Sequence, residues 1–96
     1  MILVTLSRDA DADLAGILDY SIGAHGVAIA EEYLRTIHGT LSRLSDFPEL
    51  GVSRTDLAAG IRSLPTGEHR AFYKITSEGV LVVRVLHKAM DSTRHL

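Results

Sequence analysis

Cysteine is absent from this 96-residue chain, so disulfides and thiolate zinc sites are excluded. Lysine is nearly absent too, with only Lys74 and Lys88. No apolar run approaches the roughly 20 residues that a membrane-spanning helix requires. The opening Met1-Ile2-Leu3-Val4-Thr5-Leu6 has neither a basic leader nor a cleavage site and does not read as a signal peptide. A cytoplasmic location without membrane contact is therefore expected. No glycine-rich loop suited to a phosphate is present, so no nucleotide cofactor is expected. The spacing Asp9-x-Asp11-x-Asp13 resembles the start of a calcium loop. It fails as one, because Leu14 stands where glycine is needed and Tyr20 where a bidentate glutamate belongs. His87 and His95 bracket Asp91, but spacing alone does not make them converge on a metal. No cofactor and no metal are expected.

What remains is an ordinary globular composition, 46% hydrophobic and 23% charged, which excludes a disordered tail. A chain this short holds one domain, spanning residues 1–96, with a modest core. The net charge of −2 conceals an asymmetry. Residues 1–52 carry three basic groups (Arg8, Arg35, Arg43) against eight acidic ones, a balance of −5. Residues 53–96 carry seven basic groups against four acidic ones, a balance of +3. Such a split points to a nucleic-acid or acidic-protein partner for the basic half.

Hydrophobic periodicity supplies the elements. Residues 2–6 read as a short strand. Ser7 is positioned to cap a helix whose first turns carry Asp9, Asp11 and Asp13, where negative charge suits the helix dipole. Leu14, Ile17, Leu18 and Ile22 line one face of that helix, and Gly23 and Gly26 stop it. A second helix runs through Ala30, Tyr33, Leu34, Ile37, Leu41 and Leu44 at helical spacing. The short glycine-containing link makes the two helices an antiparallel hairpin. Phe47-Pro48-Glu49-Leu50-Gly51 breaks the pattern. Residues 51–60 read as irregular, with one helical turn at Thr55–Ala59. Three strands follow at Ile61–Leu64, Glu68–Ile75 and Val80–His87, the last two forming a hairpin. The order β-α-α-β-β-β predicts an α+β fold, a helical hairpin packed on one face of a mainly antiparallel sheet.

Alternation assigns the faces. In the last strand, Leu81, Val83, Val85 and His87 share one side, and Val80, Val82, Arg84 and Leu86 the other. In the strand before it, Ala71, Tyr73 and Ile75 oppose Arg70, Phe72 and Lys74. With the helices on the apolar side, the open side would concentrate Arg70, Lys74 and Arg84, together with Arg62. A one-residue slip in register would invert this assignment.

These residues resemble the ParE-like toxins of the ParE/RelE toxin–antitoxin superfamily. The resemblance runs from Leu6 to about Asp91 and rests on ordered pieces. They are Ala12-Asp13-Leu14-Ala15-Gly16-Ile17 with Tyr20, Ala30 through Tyr33 with Ile37, and Phe47-Pro48-Glu49-Leu50-Gly51. Arg54-Thr55-Asp56-Leu57 and Gly60-Ile61-Arg62 follow. Most specific are Arg70-Ala71-Phe72-Tyr73-Lys74, then Gly79, Val83-Arg84-Val85-Leu86-His87 and Asp91.

The resemblance implies a toxin that inhibits DNA gyrase by binding it, and a ParD-like antitoxin whose flexible C-terminal segment wraps the toxin. It also implies a role in plasmid maintenance or stress response, within a hetero-oligomeric toxin–antitoxin complex. Relatives resembling RelE and YoeB instead cut mRNA on the ribosome, and fold alone does not separate the two. Arg70 and His87 match positions used by YoeB-like nucleases, and Glu49 lies near where those enzymes place a base. Against that reading, Lys88 replaces the aromatic residue that follows the histidine, lysines are few, and the acidic balance disfavours broad nucleic-acid binding. A degenerate toxin kept only as a complex-forming regulatory partner is a third alternative.

The leading expectation is a protein-binding toxin with no catalytic residues. Arg62, Arg70, Phe72, Lys74, Arg84, Lys88 and Arg94 would meet target or antitoxin. Phe72 would be an aromatic anchor between cations. Arg84 could instead pair with a carboxylate such as Asp91, His87 could simply close the sheet, and Tyr73 would be packing. Leu14, Leu18 and Tyr33 would be partly exposed and would meet a helix of the antitoxin.

Overall fold

Ser7 sets the first junction. In the computed structural model, which describes all residues from Met1 to Leu96, its hydroxyl accepts the Ala10 N–H at 3.0 Å and starts a helix. That helix, α1 (Arg8–His25), follows a short strand β1 (Val4–Leu6). It continues through Gly23 and ends at Gly26, whose φ of 85° only glycine adopts without strain. The second helix, α2 (Val27–Ser42), begins at once and tightens into a 3₁₀ turn at Arg43–Ser45. The strands β2 (Val52–Ser53), β3 (Arg62–Thr66), β4 (His69–Thr76) and β5 (Gly79–His87) complete the element order, with a last 3₁₀ turn at Ser92–Arg94.

The sheet order is β1-β5-β4-β3-β2, antiparallel except that β1 lies parallel to β5. The expected α+β arrangement is therefore found, with one additional edge strand. Residues 51–60 were expected to be irregular apart from one helical turn, but Val52 and Ser53 pair with Ser63 and Arg62. Their two-residue ladder was too short to leave an alternating pattern. A helical turn does follow, with Leu57 and Ala58 N–H both donating to the Arg54 carbonyl. β3 also runs through Pro65, which was expected to end it. Proline is tolerated there because β2 pairs only with Arg62 and Ser63, leaving Pro65 on a free edge.

One irregularity reorders the last strand. Tyr73 pairs with Val82 but Phe72 pairs with Arg84, so Val83 is an extra residue in a β-bulge. Ser7 occupies the bulge by donating its hydroxyl to the Val83 carbonyl at 2.8 Å. Before the bulge Val80 and Val82 face the helices, and after it Val85 and His87 do. The face assignment from strict alternation is thus corrected for the first half of β5. A period of two cannot survive an inserted residue.

Two cores result. The larger, between helices and sheet, gathers Leu14, Leu34, Ile37, Leu41 and Leu44 against Ala71, Tyr73, Val80, Val82 and Val85. The smaller lies on the opposite face, where Ile61, Phe72 and Leu86 are buried beneath Leu57 and Val83. The sheet face expected to be open and basic is therefore partly roofed by the 54–60 segment. No helix is long and apolar enough to cross a membrane.

Candidate protein-binding site

The groups expected to form one basic face are distributed over three environments. Arg70 and Lys74 are exposed and have no carboxylate partner. Alternation on β4 sends both to the side opposite the helices, as expected. Arg70 borders a groove of about 510 Å³ that also includes Arg54, Ser63 and Pro65. Arg54 adds a second cation there, a residue not singled out by charge patterning. Asp56 grips its guanidinium with two 3.0 Å contacts, and its carbon atom stands 5.8 Å from the centre of the Phe72 ring. Asp56 is held below the usual carboxylate range by that hydrogen bond.

Three expected contact residues are structural instead. Arg62 pairs with Tyr73 and so lies on the helix side, not the open side. Its guanidinium donates to the carbonyls of Glu49 and Gly51 at 3.3 and 2.8 Å, holding the 47–51 loop. Arg84 is part-buried, bonded to both Asp13 carboxylate oxygens at 2.8 Å and to the His95 carbonyl at 2.9 Å. The partner is Asp13, not Asp91, because β1 ends at Leu6 and leaves the edge of β5 open to α1. Asp13 completes that edge by accepting the Val85 N–H at 2.9 Å. Its carboxylate hydrogen-bonds hold the Arg84 pKa above its ordinary value. Phe72 is fully buried in the smaller core, so it is not an exposed aromatic anchor. Leu57 covers it, and nothing local in the Phe72 strand signals that the 54–60 segment folds back.

The C-terminal cations are exposed. Lys88 reaches Glu68 at 2.6 Å, which lowers the Glu68 pKa, and Arg94 lies 3.7 Å from Asp91. Asp91 is occupied by Thr93, whose hydroxyl donates to it and lowers its pKa.

The candidate nuclease residues do not converge. His87 pairs with His69 on the helix side of the sheet, whereas Arg70 pairs with Leu86 on the other. Glu49 lies in a separate hollow with Phe47, Pro48 and Leu50. Tyr73, read as packing, is buried and also ties this loop. Its hydroxyl donates to the Pro48 carbonyl at 2.7 Å and accepts the Gly51 N–H at 2.8 Å. Burial pushes its phenol pKa up.

On the helical hairpin, Leu14 is only 6% exposed and belongs to the main core, which corrects its assignment as an exposed contact. It sits deep in a groove of about 410 Å³ between α1 and α2, where Leu18 is half-buried. Tyr33 is half-buried and serves the sheet end. The Glu68 N–H donates to its hydroxyl at 2.9 Å, and the hydroxyl stands 2.6 Å from His69 Nδ1. Burial, and then the neighbouring His87, lower the His69 pKa. The two imidazoles meet edge to face at 5.3 Å. Beside them a hollow of about 550 Å³ is bounded by Tyr20 and His25 of α1 and Ile29 of α2. Sequence reasoning attached no role to His69, Tyr20 or Ile29. Their common signal is tertiary, since they come from three separate elements.

Comparison with known proteins agrees with this architecture. A family model described as the ParE toxin of the type II toxin–antitoxin system parDE matches residues 4–92. A Toxin ParE1 from Mycobacterium tuberculosis is 40% identical over 92 residues, covering 95% of this chain and 94% of that protein. A Toxin ParE1 from Caulobacter vibrioides is 37% identical over 91 residues, covering 95% and 94%. Among solved structures, one titled as a chromosomal ParDE system from P. aeruginosa superposes with a TM-score of 0.80 at 21% identity. It covers 91% of this chain and 96% of its own. That likeness is one of fold.

Proposed function

This chain belongs to the ParE toxin family of type II toxin–antitoxin systems, and from that premise we propose that it acts by binding DNA gyrase, without chemistry of its own, and is neutralised by a ParD-like antitoxin in the cytoplasm. The observation that carries this reading is the division of Arg70 and His87 between opposite faces of the sheet. A metal-independent ribonuclease needs a base, an acid and a cation converging on one phosphate. Here the cation and the imidazole point apart, and Glu49 belongs to a third surface. Exposed cations with no internal partner are instead suited to an acidic protein surface, where complementarity steers association. Arg70 and Lys74 on the open sheet face are the residues assigned to target contact, together with Arg94, whose 3.7 Å contact with Asp91 is exposed to solvent. Arg62 and Arg84 are assigned to holding the fold that presents them.

The test pairs two assays on the purified protein. One follows supercoiling of relaxed plasmid by gyrase, and the other maps mRNA ends in a translating extract. Loss of supercoiling with intact message is expected. Codon-linked cleavage that disappears in Arg70→Ala would overturn the reading.

A further inference from the structure

The sheet ends unevenly at its β2 edge, and the gap there is the groove of about 510 Å³ that Arg70 borders. Thr66 and His69 close a two-residue turn, so Thr66 and Leu64 bond to β4 while Ser63 and Pro65 turn their backbone groups outward. Ser63 meets Val52, but β2 does not reach Pro65, whose carbonyl is left on a free strand edge. The chain before Val52 is held away from it. The Gly51 N–H donates to the Tyr73 hydroxyl, and the Gly51 carbonyl accepts the Arg62 guanidinium. Gly51 is buried against both sheet and ring, so this wall of the groove is fixed.

The lining has a consistent chemistry. Leu50 and Val52, 37% and 65% exposed, form one wall, and Leu64 and Pro65 the other. No acidic residue lines the groove. Of its two cations, Arg54 is occupied by Asp56, whereas Arg70 is exposed and unpaired. Arg70 stands opposite Pro65 in the ladder, so the free cation and the free backbone acceptor are neighbours. Apolar walls, an acceptor aligned with a strand and one uncompensated guanidinium together suit an extended, acidic segment.

We propose that this groove receives an extended segment of the toxin's protein target, laid along the free edge of β3. The segment donates a backbone N–H to the Pro65 carbonyl, seats an apolar side chain between Val52 and Pro65, and places a carboxylate on Arg70. The inference rests on the target-binding reading above and deepens it by assigning where the segment lies, in what conformation and by what chemistry. Charge complementarity is local to the groove, and Lys74 lies roughly 13 Å further along the same face of β4, within reach of a second acidic residue.

Two measurements on the full chain test it. In the first, affinity for purified DNA gyrase is compared for the wild type, Val52→Glu and Ser77→Ala. Val52 is exposed, and circular dichroism confirms that its variant folds. Val52→Glu, which puts a carboxylate into the groove beside Arg70, is expected to weaken binding at least about tenfold, while Ser77→Ala stays within about twofold. Unchanged affinity for Val52→Glu would overturn the groove but leave gyrase as the target. So would a loss confined to antitoxin affinity, which would make the antitoxin the occupant. Failure of the wild type to bind gyrase would overturn the target reading itself, and with it the occupant proposed here.

In the second, the protein is titrated with the blocked peptide acetyl-Thr-Val-Glu-Val-Thr-amide and with its glutamine counterpart while NMR shifts are followed. The acidic peptide is expected to perturb Val52, Leu64 and Arg70 and to bind at least about threefold more tightly than the neutral one. Equal binding, perturbations elsewhere, or no saturable shift by about 10 mM peptide would overturn the proposed chemistry.

Discussion

Asp13 and Arg84, 71 residues apart in the chain, join α1 to the edge of β5 through two 2.8 Å hydrogen bonds. Their side chains are 14% and 21% exposed, so the pair is largely shielded from solvent. The same carboxylate takes the Val85 N–H just beyond the bulge, and the same guanidinium takes the His95 carbonyl. One ion pair thus fixes the helix, the edge left uncovered by β1, and the C-terminal segment.

Removing one member leaves the other partly buried without a partner, which is more harmful than losing an exposed pair. Asp13→Ala is expected to destabilise the protein by about 2–4 kcal/mol. Urea denaturation measures this directly. Hydrogen exchange should also show earlier opening of residues 92–96, because Arg84 no longer has a carboxylate to orient it. A loss below about 0.5 kcal/mol would mean the pair is no stronger than a surface contact.

Gly51 and Tyr73 form a second junction, between the loop after α2 and the middle of the sheet. A Cβ at Gly51 would stand 2.8 Å from both the Ser63 carbonyl oxygen and a carbon of the Tyr73 ring. Backbone on one side and a buried ring on the other cannot both withdraw. Gly51→Ala is therefore expected to cost about 2–3 kcal/mol. Tyr73→Phe, which orphans the Gly51 N–H and the Pro48 carbonyl, should cost about 1–3 kcal/mol. Thermal melts of both variants check the order.

Acid should weaken the fold in two separate windows. The His69 pKa is lowered from its ordinary value of 6.5, so the unfolded chain binds a proton more readily than the folded one. The contribution of His69 is full above about pH 6.5 and declines as pH falls from there through its lowered folded value. Glu68, lowered from 4.5 by Lys88, contributes above that value and loses its part only at lower pH. Urea midpoints between pH 8 and pH 5 should therefore fall in the wild type. In His69→Gln the decline over this range should be shallower, and an identical slope would remove His69 as its source.

Phe72 and Arg70 are neighbours in sequence with opposite expected behaviour. Phe72→Ala empties the smaller core and is expected to cost about 3–5 kcal/mol. Arg70→Glu, on an exposed and unpaired side chain, should leave stability within about 0.5 kcal/mol. It should nevertheless reduce gyrase inhibition by about tenfold or more, through reversed charge at the target interface. Measuring stability and supercoiling on the same two preparations separates the effects. Inhibition unchanged in Arg70→Glu would remove this residue from the contact surface.

Much of the architecture is legible along the chain because it depends on local rules. Ser7 caps a helix wherever its hydroxyl can reach the third following N–H. The apolar spacing through Leu34, Ile37 and Leu41 requires one buried face whatever lies against it. Gly26 ends α1 because it alone there accepts a positive φ. The exposed cations Arg70 and Lys74 also follow from alternation in β4, where no residue is inserted between them and the turn.

The candidate site is less legible, and the bulge in β5 shows why. Alternation carries face information only while the count stays even, and Val83 breaks the count at the position where Arg84 must reach α1. Phe72 illustrates a different limit. Its own strand places it opposite the helices, but its burial depends on Leu57, brought over it by a turn 15 residues earlier in the chain.

By itself, then, the sequence determined the elements, the helical hairpin and the division into an acidic helical half and a basic sheet half. Those properties arise from neighbours within a turn or a strand. Only the tertiary structure decided which cations are free, which are bound to Asp13 or to the 47–51 loop, and that His69, Tyr20 and Ile29 border one hollow. Such relations join residues that the chain separates by tens of positions. They are set by which surfaces meet when the core closes, and no local periodicity encodes that meeting.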